Sequence, residues 1–391
     1  MNKSTILLNI KPQNVLAVCT QVRGLNTDNS YTNLSSYKRG TGGRSSFNGI
    51  VATVFGSTGF IGRHVCNRLG KIGTQLILPY RGDNYEPMRL KLCGDLGQVL
   101  FHQYDLRDEE SIRKAIKYSN VVINLVGRDW ETRNFTFNDV HVEGARRLAR
   151  LSKEAGVERF IHLSALNASE TPESIFIPGG SAFLRSKALG DIAVLEEFPE
   201  ATIIKPSDVY GQEDRFIRYY AHPWRNQFNY MPLWNKGEKT EKQPISVKDI
   251  ASGIVAAIRD PDSAGKIYQA VGPKRYLLSE IVDYLYRIMR RTDGRRLIDL
   301  KWDYLFQLRV TLNEKFSINW PLGNLHWEKI EREHLSDVVR SDVLTLEDLG
   351  VILTTMEEQI PWELKPFTDG IYHGHDVDDP KPPAEPPKVV I

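Results

Sequence analysis

The chain has 391 residues, enough for one large α/β domain with additions around a sizeable core. Its 51 basic and 49 acidic residues leave a net charge of +2, and three cysteines are too few for a disulfide framework, which excludes a disulfide-stapled secreted scaffold. No apolar run reaches the length of a membrane-spanning helix, so the expectation is a soluble or peripheral protein.

Residues 1–48 stand apart from the rest. They hold Lys3, Lys11, Arg23, Lys38, Arg39 and Arg44 against one acid, Asp28, together with six serines. A basic, serine-containing, acid-poor start is the pattern of an organelle transit peptide or, failing that, of a disordered arm. Without it the chain keeps 45 basic and 48 acidic residues, a net charge of about −3, and such a surface does not suit nucleic acid. Cys19 falls in this segment, whereas Cys66 and Cys93 are expected to be buried thiols.

From residue 50 onward, short β-rich runs alternate with helical ones. Strands are predicted at 50–55, 75–78, 99–103, 120–126, 159–163 and 202–204. Helices are predicted at 60–69, 85–92, 108–117, 138–155 and 181–197. That alternation predicts a doubly wound α/β fold, a parallel sheet covered on both faces. Past about Ser207 the pattern loosens into an aromatic and basic stretch, 215–242. Helices near 247–258 and 279–291 follow, and then a segment dense in large aromatics, 302–327. The predicted division is a dinucleotide-binding domain at 50–275, a smaller substrate-domain-like docking region at 276–370 and a Pro/Asp-rich tail at 371–391. The tail is expected to be disordered or laid over a partner.

Gly56-Ser57-Thr58-Gly59-Phe60-Ile61-Gly62 lies between the first strand and the first helix. Glycines there allow a tight turn and a close approach of backbone N–H groups to a pyrophosphate, beside the positive end of the helix. The second strand ends in Arg81, 19 residues past Gly62, where an NAD-specific site places an acid. A guanidinium can pair with a ribose 2′-phosphate, so NADPH is favoured over NADH or FAD. Asp105 and Leu106 close the third strand, where a carboxylate faces either an adenine amino group or the next helix as a cap.

These pieces resemble the short-chain dehydrogenase/reductase superfamily in its atypical or extended branch. The likeness rests on the glycine trio, Asp105-Leu106, Asn124-Leu-Val126-Gly127, Ser164, the Phe183–Lys187 spacing and Pro206-Ser-Asp-Val-Tyr-Gly211. It spans residues 50–275, and the cofactor-contacting positions it implies include Val126, Gly127, Lys187 and Pro206. The pattern is similar in particular to the nucleotide-binding accessory subunits of mitochondrial NADH:ubiquinone oxidoreductase (complex I). That likeness implies a tightly held NADPH, other complex I subunits as partners, and a peripheral place on the matrix side of the mitochondrial inner membrane. It also implies a part in assembly and stability rather than catalysis.

The resemblance makes position 183 decisive. An active reductase of this kind carries a tyrosine four residues before its lysine, and the phenol protonates the substrate while the lysine lowers its pKa. Here Ser164 and Lys187 match, but Phe183 has no proton to give. A pseudo-reductase is therefore expected, unless another acid, such as Tyr210 or His162, replaces the tyrosine. The alternatives are a free-standing reductase or epimerase and a matrix regulator that senses NADPH. His373, His375 and Asp379 form only a weak metal motif, so no metal is expected. Arg287, Arg290, Arg291, Arg295 and Arg296, next to the aromatic segment, read as a docking face for a subunit or for anionic lipid.

Overall fold

The computed structural model describes residues 38–40, 42–222, 225, 230–291, 296–317, 324–369 and 383–390. Strand β1 (Val51–Phe55) is buried throughout and runs into helix α1 (Phe60–Lys71) through the glycine turn. Strand β2 (Gln75–Tyr80) follows. The single helix predicted over 85–92 is instead one α-turn, Tyr85–Met88, and one tighter turn, Arg89–Cys93. That segment lies so close to α1 that a Cβ on Gly70 would stand 2.0 Å from the Cys93 carbonyl oxygen. Strand β3 (Val99–Gln103) precedes α2 (Glu109–Ile116), which Asp108 caps by accepting from the Glu110 N–H. Then come β4 (Val121–Asn124), a wide π-type turn at Asn138–Glu143 leading into α3 (Gly144–Glu154), β5 (Arg159–Leu163), α4 (Ala182–Glu197) and β6 (Thr202–Pro206).

After β6 the chain places α5 (Val247–Arg259), β7 (Ile267–Ala270), α6 (Leu278–Ile288), α7 (Tyr304–Phe316), α8 (Trp327–His334), β8 (Leu344–Thr345) and α9 (Met356–Leu364). The main sheet has the order β3-β2-β1-β4-β5-β6-β7-β8. Every pairing in it is parallel. Six strands stand in the order expected of a doubly wound fold, and two more extend it. The eighth comes from beyond residue 276, so the C-terminal region returns to the sheet as well as building its own core.

The two faces of the sheet pack against different helices. One face buries Val54, Leu76 and Ile123 with Val65 and Leu69 of α1 and Ile250 and Ile254 of α5. The other buries Phe55, Val122 and Phe160 with Ile112 of α2, Leu148 of α3 and Val194 of α4. A third core belongs to the C-terminal part: Tyr210, Tyr220 and Met231 with α6, Phe306 and Val310 of α7, Ile330 of α8 and Ile360 of α9. Helix α7 turns only part of its apolar surface inward, and Tyr304, Leu305, Leu308 and Phe316 stay exposed, as does Trp302 before it.

Both ends of the folded body extend past the predicted borders. Arg39 and Phe47 exchange backbone hydrogen bonds of 2.8 Å, and the Asn48 N–H donates to Gly73. The last residues of the predicted N-terminal arm therefore rest on the domain. Near the other end, Val389 bridges Tyr276 and the Val390 N–H donates to the Arg275 carbonyl, so residues 383–390 lie on the chain's own C-terminal core. His373, His375 and Asp379 fall outside the described residues, as does the arm before residue 38. Among the described residues no group of side chains could hold a metal ion, and no helix is long and apolar enough to cross a membrane.

Candidate functional site: a dinucleotide cleft at the sheet switch point

The strand order reverses between β1 and β4, which opens a crevice at their C-terminal ends. A cleft of about 300 Å³ lies there, lined by the glycine turn, Leu125, Gly127, Ser164, Phe183, Lys187 and Pro206. Gly56 adopts φ +80, and a Cβ there would meet the Leu125 carbonyl oxygen at 2.8 Å. A Cβ on Gly62 would sit 2.3 Å from the Gly56 carbonyl oxygen, so α1 starts directly on its own turn. Gly59 is the N-cap of α1 but offers no side chain, and the first turn holds no acid. The N–H groups at this helix start are thus left for something outside the helix. The Ser57 hydroxyl is fully buried beside them without a hydrogen-bond partner among the described residues, while Thr58 is half-buried. A cradle closed to side chains, an uncapped helix start and an orphaned hydroxyl fit a pyrophosphate.

At the ends of β2 and β3 the expected residues serve different ends. Arg81 is exposed, with its guanidinium 5.3 Å from the centroid of the Phe135 ring, which Arg107 also covers at 4.4 Å. Among the described residues Arg81 has no carboxylate partner, whereas Arg107 pairs with Asp139 at 3.7 Å. The Asp105 carboxylate accepts the Arg107 N–H at 2.8 Å and so turns its own loop, and the cap of α2 falls to Asp108. Leu106 is buried, and its carbonyl accepts from Arg147. The Val126 N–H donates to the Asn124 side chain at 3.1 Å, and its side chain packs into the α2–α4 layer. Leu125, Gly127, Arg128 and Asp129 are the residues of that loop on the cleft.

Ser164, Phe183 and Lys187 converge on the same wall, as their positions at the end of β5 and on one face of α4 require. Lys187 is buried and donates to the Leu163 carbonyl at 3.0 Å. Burial pushes its ammonium down to about 8, against the opposing pull of Asp191. The Ser164 hydroxyl donates at 2.8 Å to Asp191 on α4, and Asp191 also pairs with Lys205 at 2.9 Å. The ring of Phe183 sits edge-on to His141, centroids 5.1 Å apart, with the Arg332 guanidinium 4.0 Å over its face.

Neither replacement acid reaches the cleft. The Tyr210 hydroxyl is bound to the Thr354 carbonyl at 3.0 Å, and burial raises its pKa far above the ordinary phenol value. His162 lies beneath the sheet end, where Nδ1 accepts from the Asn124 amide, and burial lowers its pKa to about 3.

A group of charged residues at the far end of the cleft has no motif in the sequence. Asp129 pairs with Arg215 at 2.6 Å and with Arg332 at 3.4 Å. Burial pushes its carboxyl up, but the two guanidiniums outweigh it and hold the group well below the usual range. Lys242 pairs with Asp208 at 2.9 Å and Asp337 at 3.6 Å. Lys329 completes the lining. These residues come from four separated segments, and only the basic character of 215–242 hinted at any of them.

The profile of the NAD dependent epimerase/dehydratase family matches residues 52–270. A mouse protein, "NADH dehydrogenase [ubiquinone] 1 alpha subcomplex subunit 9, mitochondrial", is 48% identical over 81% of this chain and 80% of its own. A Neurospora crassa protein, "NADH-ubiquinone oxidoreductase 40 kDa subunit, mitochondrial", is 36% identical over 80% of this chain and 78% of its own. Among solved structures, an NADPH-dependent quinone oxidoreductase from Escherichia coli, complexed with NADPH, superposes with a TM-score of 0.59. It covers 79% of this chain and 98% of its own at 13% identity, which speaks for the fold.

Proposed function

The chain belongs to the NAD-dependent epimerase/dehydratase family and, within it, to the line of mitochondrial alpha subcomplex subunit 9 proteins. From that premise we propose a non-catalytic accessory subunit of respiratory complex I that keeps NADPH as part of its fold. Phe183 carries the reading. It stands where the proton donor of an active relative would stand, in a cleft whose glycine cradle is intact. The cofactor, when bound, would offer a hydride, but among the described residues this chain places no phenol on the cleft to complete a reduction. Arg81, free of any carboxylate among the described residues, is the residue we assign to the 2′-phosphate and hence to the choice of NADPH. Gly56, Gly59 and Gly62 admit the pyrophosphate, and Lys187 and Pro206 border the nicotinamide end.

The physical logic of a retained cofactor is linkage. A ligand that binds only the folded chain stabilises it by RT ln(1 + [L]/Kd), about 4 kcal/mol at a thousandfold excess over Kd. The exposed apolar residues of α7, with Trp302, are where we place contact with other subunits or with anionic lipid at the matrix face of the inner membrane. In mitochondria carrying Arg81→Ala, native gels should show less assembled complex and the purified complex less NADPH. Full assembly with an empty cleft would overturn the structural role of the cofactor. Recovery of the chain alone, consuming NADPH with a carbonyl substrate, would instead favour a free-standing reductase.

A further inference from the structure

The cleft continues past the Lys187 end into a compartment with more positive charge than its own acids balance. Its lining holds six basic side chains against three acids, Asp129, Asp208 and Asp337. The ion pairs among them use up all three acids. Asp129 is shared by Arg215 and Arg332, while Asp208 and Asp337 both face Lys242. Lys187 is bonded to the Leu163 carbonyl and lies at the dinucleotide end. Two cations remain, Arg128 and Lys329.

Neither is in salt-bridge contact with a carboxylate among the described residues, although Asp208 lies near Lys329 and Asp129 near Arg128. The Arg128 guanidinium rests 5.1 Å from the centroid of the Trp130 ring, whose other cation is Arg215 at 5.2 Å. The Lys329 ammonium rests 5.6 Å from the centroid of the Tyr219 ring. Lys329 and Arg332 stand three apart on α8 and so share one face of it, toward the cleft. Burial depresses the pKa of both Arg128 and Lys329; the Arg81 and Arg215 guanidiniums add to it at Arg128, while the Asp208 carboxylate opposes it at Lys329. Desolvated cations with no carboxylate in direct contact are costly to keep, and an oxyanion placed between them would relieve that cost. The remaining wall is apolar, made by Phe183, Phe216 and Leu335.

We infer that this compartment is a second ligand site, which takes the phosphate of a small organic phosphate ester between Arg128 and Lys329 and lays the ester's carbon body against Phe183 and Leu335. A phosphate monoester carries about −1.5 to −2 charge at neutral pH, which matches two unpaired cations. Charge-assisted bonds to a guanidinium and an ammonium supply the recognition. The site depends neither on assembly into a larger complex nor on the choice of NADPH over NADH.

Glycerol 3-phosphate serves as the probe, titrated calorimetrically into the full chain saturated with NADPH. Saturable binding is expected, weakened about tenfold or more in Lys329→Met and in Arg128→Gln, with NADPH content unchanged as the check on folding. Competition from vesicles containing phosphatidate, but not from phosphatidylcholine alone, would assign the phosphate to a lipid headgroup. A soluble ester is the assignment if both vesicles are silent. Binding that appears only when NADPH is absent would mean that the probe occupies the pyrophosphate cradle, and would overturn the site. So would wild-type affinity in both variants. A chain that proves unable to hold NADPH would show it directly in the nucleotide content, and the dependence on Lys329 would still be readable.

Discussion

The ring of Phe183 is held on three sides, edge-on to Phe137 and His141 and beneath the Arg332 guanidinium. Its neighbour in the degenerate site is committed as well, since the Ser164 hydroxyl donates to Asp191, which Lys205 holds from the other side. A hydroxyl engaged with a buried carboxylate does not orient a substrate carbonyl. On the proposed reading the site lacks two groups of the reductase chemistry, of which the sequence displays one. Restoring the phenol alone should not restore turnover. Phe183→Tyr is expected to bind NADPH as the parent does and to show no oxidation of it with carbonyl substrates, although a positioned acid normally contributes about 10²–10⁴ in rate. Measurable NADPH consumption by that single variant would mean that Ser164 is free to act.

Helix α1 shows how one element makes a ligand site out of packing. Its start has no side-chain cap and no first-turn acid, and its glycines remove the atoms that would hold it away from the turn. Gly62→Ala would put a methyl group 2.3 Å from the Gly56 carbonyl oxygen, a clash with backbone that no rotamer relieves. The expected outcome is a loss of about 1–3 kcal/mol in denaturant unfolding together with loss of bound dinucleotide. Retained nucleotide in a destabilised variant would separate packing from binding at that position. Helix α8 works on several neighbours at once. Glu328 accepts from the Ser181 hydroxyl and the Ala182 N–H at the start of α4, and Glu331 accepts from the backbone of Ile175, Phe176 and Ile177. Lys329 and Arg332 meanwhile border the cleft.

At the scale of the whole molecule, the C-terminal core is held together by buried charge as well as by apolar packing. Glu333 of α8 pairs with Arg225 at 2.9 Å in the third core, where both side chains are essentially inaccessible, and also accepts from the Tyr219 hydroxyl. Removing one partner of such a pair leaves an uncompensated buried charge, at a cost of about 3–5 kcal/mol. Glu333→Gln should therefore lower the thermal midpoint sharply. The double change Arg225→Met with Glu333→Leu should recover much of the loss, because no lone charge remains. Equal destabilisation by the single and the double change would show that the pair acts through geometry and not through charge.

The glycine turn, the strand–helix alternation, Arg81 at the end of β2 and the four-residue step from Phe183 to Lys187 were all legible in the sequence. Each depends on neighbours within a turn, a strand or one βα unit, where backbone sterics and the periodicities of 2 and 3.6 act directly. The strands β7 and β8 were missed because four-residue and two-residue segments carry too little pattern. The helix predicted at 85–92 failed because its packing against Gly70 overrode local preference. Asp105 matched a motif, yet the fold uses its carboxylate to turn its own loop. The charged compartment was beyond sequence reasoning. Asp129 and Arg332 are 203 residues apart, and nothing local to either one announces the other. The sequence by itself determined a dinucleotide fold with Phe183 four residues before Lys187. Only the tertiary structure decided that Ser164 turns to Asp191 and that α8 closes the cleft with unpaired positive charge. Those outcomes rest on long-range contacts, which chain folding creates and local chemistry does not encode.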